Sequence, residues 1–252
     1  MNLLACSQIH MKNLIVANWK MNPNSQKEAK EIFDAIRDGV KGIKSEVVVC
    51  PPSVYLYASV FGEGVVVMGG QNIYFEEKGA FTGEISAEML KDLGVEYVMI
   101  GHSERRKYFG ETDEIINKKI KKALEAGLKV IFCIGETAEE RDAGKKNEVL
   151  ERQIKIGLRD IENLKLKIEN CAIAYEPVWA IGTGNNCSVE ETKESIDYIR
   201  KLIPENIKVL YGGSVKSDNS GAYIKDAGAN GLLVGGASLI PEEFIKIVES
   251  AE

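Results

Sequence analysis

Short apolar runs alternate with longer amphipathic stretches from Asn13 to the end of the chain, the pattern of repeated βα units on a parallel sheet buried on both faces. Eight such runs predict strands: Leu14 to Ala17, Val47 to Cys50, Val65 to Met68, Tyr97 to Ile100, Val130 to Cys133, Ala172 to Tyr175, Ile207 to Tyr211 and Leu232 to Val234. Apolar residues at helical spacing predict helices over Ser25 to Arg37, Ser86 to Leu93, Thr112 to Ala126, Lys145 to Ile161, Val189 to Leu202, Asn219 to Ala227 and Pro241 to Ser250. Ser25, Thr112 and Ser188 stand where N-caps belong, and Gly94, Gly127 and Gly228 where helices close. Eight units in 252 residues suit an α/β fold of the single-domain (β/α)8 barrel type. A doubly wound open sheet more often uses roughly five to seven strands. No linker, low-complexity segment or composition shift divides the chain, so one domain is expected.

Polar residues of chemical interest cluster just past the strand-like runs. The run Ala172 to Tyr175 ends in Glu176, and Pro177 stops the strand by removing a backbone donor. Trp179 and Gly182-Thr183-Gly184 follow, a composition suited to a short lid whose bare backbone can offer N–H groups to an anion. A lone Glu-Pro reads more simply as an ordinary strand-to-helix turn. Its recurrence outweighs that reading: Val98 to Ile100 delivers His102 and Glu104, and Leu14 to Ala17 delivers Asn18 and Lys20. In a barrel the loops after the strands share one face, so base, imidazole, cation and amide meet there. Glycine pairs at Gly212-Gly213, before Ser214, and at Gly235-Gly236 follow the last two strands. Either pair alone is a tight turn. Two together, with Gly182, predict close backbone approach to a phosphate.

Composition narrows the partners. A net charge of −6 without a basic stripe argues against nucleic acid or an anionic membrane surface. Cys6, Cys50, Cys133, Cys171 and Cys187 are an odd set without CxxC spacing, which fits a reducing cytoplasm. With two histidines, His10 and His102, and no HExxH, no metal site is expected; no GxGxxG or GxxxxGK[ST] opens a helix, so no cofactor is expected either. Residues 1–10 carry no basic region followed by an apolar core and are expected to be an N-terminal extension outside a catalytic domain of residues 11–252.

The segments VANWKMN (Val16 to Asn22), GHSERR (Gly101 to Arg106) and AYEPVWAIGTG (Ala174 to Gly184) resemble, in order, those of the triosephosphate isomerase family. CPPS from Cys50, GQN from Gly70, GAFTGEIS from Gly79, CIGE from Cys133, YGGSV from Tyr211 and LVGGASL from Leu233 are similar too, so the resemblance runs from about Met11 to the C-terminus. It implies interconversion of dihydroxyacetone phosphate and D-glyceraldehyde 3-phosphate through an enediolate, without a cofactor. Glu176 would be the base, His102 a neutral electrophile, Asn18 and Lys20 further donors to the enediolate, and Glu104 a buried partner that positions Lys20. Asn18, Lys20, Gly182, Ser214, Gly235 and Gly236 would bind substrate. The long connection Gln71 to Gly83 would insert into a second copy, making a homodimer in which Thr82 reaches the Asn18 and Glu104 region. Tyr175 and Glu136 would be alternate partners of the Trp179 indole, Tyr211 would contact the lid's far hinge, and Ser214 would contact Gly184. One departure stands out: the family commonly has a Lys-Thr-Ala-type hinge where this chain has Asn185-Asn186-Cys187. Another phosphosugar isomerase or lyase on the same barrel, and a non-catalytic scaffold, are the competing readings.

Overall fold

The computed structural model describes residues 12–57, 65–161, 163–182 and 186–252. The leader, Cys6, Thr183, Gly184 and Asn185 therefore lie outside the described residues. Eight strands form a closed, all-parallel barrel in sequence order: β1 (Leu14–Asn18), β2 (Glu46–Cys50), β3 (Val66–Gly70), β4 (Tyr97–Ile100), β5 (Lys129–Ile134), β6 (Cys171–Tyr175), β7 (Lys208–Tyr211) and β8 (Gly231–Val234). The ring closes where β1 pairs with β8, Leu14 opposite Gly231. Around it lie α1 (Gln26–Gly39), α2 (Ala87–Asp92), α3 (Ser103–Phe109), α4 (Asp113–Glu125), α5 (Ala138–Asp142), α6 (Lys146–Gly157), α7 (Val189–Arg200), α8 (Ser220–Lys225) and α9 (Pro241–Ser250).

The period of two along each strand separates two apolar layers. Leu14, Val16, Val48, Cys50, Met99, Ile131, Cys133, Ala172, Ala174, Leu210 and Leu233 fill the barrel, while Ile15, Ala17, Val47, Val49, Phe132 and Ile173 face the helices. Carried to the strand ends or one step past them, the inward parity reaches Asn18 after Val16, Glu176 after Ala174, and Gly235 after Leu233. The barrel's own alternation thus aims these positions at its mouth.

The expected caps form. Ser25, Thr112 and Ser188 accept from the N–H groups of Glu28, Ile115 and Glu191. Gly94, Gly127 and Gly228 each sit at φ +75°, where a side chain would be strained. Two differences from the sequence expectation matter. β3 runs on through Gly69 and Gly70, because a Cβ at Gly69 would come within 2.4 Å of the Cys50 thiol inside the barrel. Two short helices, α3 and α5, form from charged segments without an apolar stripe; α3 begins directly at the His102 segment.

Candidate active site

Asn18 is buried at the end of β1, and its Oδ1 accepts the Lys20 N–H at 3.0 Å. That turn carries Lys20 at φ 54°, a left-handed conformation that costs a non-glycine residue about 1–2 kcal/mol. Gln71 holds it there. Its amide donates to the carbonyls of Lys20 (2.8 Å) and Cys50 (2.9 Å) at once. The Lys20 ammonium is thereby aimed across the mouth, where Nζ meets Glu104 Oε1 at 2.6 Å and Cε would lie 3.4 Å from a Cβ on Gly235. Gln71 was visible in the sequence only as the start of a long connection; an amide immediately after a strand was the available signal.

His102 is the N-cap of α3. Its Nδ1 accepts the Glu104 N–H at 3.2 Å, so a ring proton lies on Nε2, which faces Glu176 Oε1 at 3.1 Å. The other carboxylate oxygen of Glu176 accepts the Ser103 N–H at 3.0 Å. Glu176 is 2 % exposed, and two glycines make room for it. A Cβ at Gly135 would sit 1.7 Å from the Glu176 carbonyl oxygen, and one at Gly212 would sit 3.0 Å from its Cγ. Beneath it, burial and then the nearby carboxylate push the Cys133 thiol well up, which leaves it unsuited to nucleophilic work.

Glu104 binds Lys20 as the resemblance implies but is not buried: its side chain is 40 % exposed in the single chain. It lines a cavity with Asn18, Lys20 and His102, beside the exposed Phe109.

The other end of the mouth is built from glycines and a hydroxyl. Gly182 takes φ +70° with open space around it, and Ser214 donates from Oγ to the Ala180 carbonyl at 2.8 Å. Its expected contact with Gly184 lies outside the described residues. One cavity of ≈ 650 Å³ is lined by Asn18, Lys20, His102, Glu176, Gly182, Ser214, Gly235 and Gly236 together. Trp179 donates from Nε1 to Glu136 Oε1 at 2.9 Å, and the Tyr175 hydroxyl donates to that same oxygen at 3.2 Å. Burial raises the Glu136 carboxyl, with the indole bond the main opposing influence. The Arg141 guanidinium lies 3.8 Å over the Trp179 ring.

A profile of the triosephosphate isomerase family matches residues 13–251. The chain belongs to that family. A triosephosphate isomerase of Alkaliphilus oremlandii is 47 % identical over 249 residues, covering 94 % of this chain and 98 % of its own. One from Clostridium botulinum is 48 % identical over 246 residues, covering 93 % and 98 %, and one from Aquifex aeolicus is 48 % identical over 251 residues, covering 95 % and 100 %. Among the described residues, no cluster of three or more His, Cys, Asp or Glu side chains could hold a metal, and no helix is long and apolar enough to cross a membrane.

Proposed function

We propose that this member of the triosephosphate isomerase family interconverts dihydroxyacetone phosphate and D-glyceraldehyde 3-phosphate by proton transfer through an enediolate. The observation that carries the reading is one cavity with two ends. A carboxylate and an imidazole stand 3.1 Å apart at one, and bare glycine backbone with a serine hydroxyl stands at the other. Exchanging a carbonyl and a neighbouring hydroxyl requires a proton to leave one carbon and return to the next, so a single base beside both carbons serves twice. Glu176 takes that role. The oxygens gain negative charge as the proton leaves, and donors fixed in advance stabilise it: His102 Nε2–H, the Asn18 amide and the Lys20 ammonium. Gly182, Ser214, Gly235 and Gly236 hold the phosphate. Glu104 and Gln71 set the position of Lys20. No cofactor is needed.

Assaying the two triose phosphates beside pentose phosphates tests the substrate. Turnover confined to the trioses is expected, and equal turnover of pentose phosphates would favour another phosphosugar isomerase. Lys20→Ala is expected to lower kcat by about 10²-fold and to raise KM, since the ammonium serves both the phosphate and the developing oxyanion. Steady-state kinetics with an unchanged KM would place Lys20 outside the binding site.

The active unit is a homodimer, and each site is completed by its partner. Beside Lys20 and Glu104 lies a second cavity of ≈ 210 Å³ lined by Met21, Gln71 and Phe109, with Met21 89 % and Phe109 68 % exposed. The connection Gln71 to Gly83 of a second copy, which includes Phe81 and Thr82, has the chemistry to fill it. Light scattering at low concentration is expected to give twice the chain mass; a monomer with full activity would contradict the shared site. We also propose that the protein is cytoplasmic and that one catalytic domain spans residues 11–252.

A further inference from the structure

The connection between β6 and α7 is tied to the body of the barrel at both of its described ends. On the strand side, Ser214 Oγ holds the Ala180 carbonyl and Glu136 holds the Trp179 indole. On the helix side Cys187 is buried, and its carbonyl accepts the Tyr223 hydroxyl at 2.7 Å. The Cys187 thiol faces Glu191 Oε2 at 3.8 Å, Glu191 binds Arg141 at 2.7 Å, and Arg141 covers the Trp179 ring. The Tyr223 ring, on α8, stacks on that of Tyr211 with centroids 3.9 Å apart and planes 23° apart. Tyr211 ends β7, the strand that delivers Ser214. The two ends of the connection therefore share one continuous set of contacts, which runs through a tyrosine outside the cavity.

We infer that Tyr223 is a positioning residue for phosphate binding: its hydroxyl fixes the Cys187 carbonyl and thereby the helix-side end of the connection that carries Gly182. Cys187 lies one residue before the N-cap Ser188, so its carbonyl falls outside the ladder of α7 and depends on a partner from elsewhere in the fold. Withdrawing the donor leaves a buried carbonyl unpaired, and the backbone that bears it shifts to find another. The stack of Tyr223 on Tyr211 supplies packing that phenylalanine would supply equally well. The hydroxyl alone reaches the connection.

This inference rests on the isomerase reading, and its test separates the two. Tyr223→Phe keeps the ring and removes the bond. On one preparation, kcat/KM is measured for D-glyceraldehyde 3-phosphate and for D-glyceraldehyde, which lacks the phosphate. For the variant, the first is expected to fall about three- to tenfold, the size of one neutral hydrogen bond, while the second stays within about twofold. The ratio of the two does not depend on how much of the variant is folded. Equal losses on both substrates, or no loss on either, would overturn the positioning role and leave Tyr223 a packing residue. A wild-type protein inactive on the phosphorylated substrate would overturn the isomerase reading instead.

Discussion

Glu176→Ala is expected to lower kcat by about 10²–10⁴-fold, the range for a positioned general base, while circular dichroism and the melting temperature change little. The separation of activity from stability follows from where the side chain sits. Its carboxylate lies against the cavity, held by the His102 Nε2–H and the Ser103 N–H, and His102 itself lines that cavity. The main chain on either side stays tied, since the Glu176 N–H donates to the Ile134 carbonyl and the Gly212 N–H to that of Tyr175. Near-normal turnover in the variant would move the base to another group. A collapse of the melting temperature would make the glutamate a structural residue.

Excising Ala180 to Gly184 and rejoining the chain is expected to slow isomerisation by roughly 10³-fold or more and to change the product. The deletion removes Gly182 from the phosphate end and the Ala180 carbonyl from Ser214. An enediolate beside a phosphate-bearing carbon expels phosphate when the C–O bond aligns with the π-system. The electron pair of the enediolate then forms the new double bond as that bond breaks, and methylglyoxal and inorganic phosphate result. With Glu176 intact, proton abstraction continues and the unprotected intermediate drains by this route. Product analysis decides: isomerisation lost without methylglyoxal above the uncatalysed background would mean that the segment assembles the catalytic groups instead of shielding their intermediate.

The barrel was legible in the sequence because strands buried on both faces must be apolar throughout, and eight such runs can scarcely be hidden. β3 was misplaced at its end for a physical reason. The apolar run stops at Met68, yet Gly69 belongs to the strand, where the Cys50 thiol fills the space a side chain would need. The inward parity of Asn18 and Glu176 was implicit in the alternation of β1 and β6, and both end where the motif segments placed them.

Contacts made across the fold were not legible. Nothing in the sequence near His102 shows that it caps α3, because that helix is made of Ser-Glu-Arg-Arg-Lys-Tyr-Phe and lacks an apolar stripe; only the cap geometry fixes which ring nitrogen carries the proton. Gln71 stands 51 residues from the Lys20 carbonyl it holds, and Tyr223 stands 36 residues from Cys187. The half-exposed Glu104 reflects the same limit, since burial depends on what packs around a side chain and not on its place in a motif.

The central claim is that Glu176 carries a proton between two carbons of a triose phosphate. Proton NMR of D-glyceraldehyde 3-phosphate with the purified protein in D2O tests it most directly, because a base that exchanges its proton with solvent marks the carbon to which it returns one. The predicted result is dihydroxyacetone phosphate bearing deuterium at C1, formed rapidly by the wild-type chain and lost with Glu176→Ala. Dihydroxyacetone phosphate formed equally fast by both proteins, labelled or not, would contradict it.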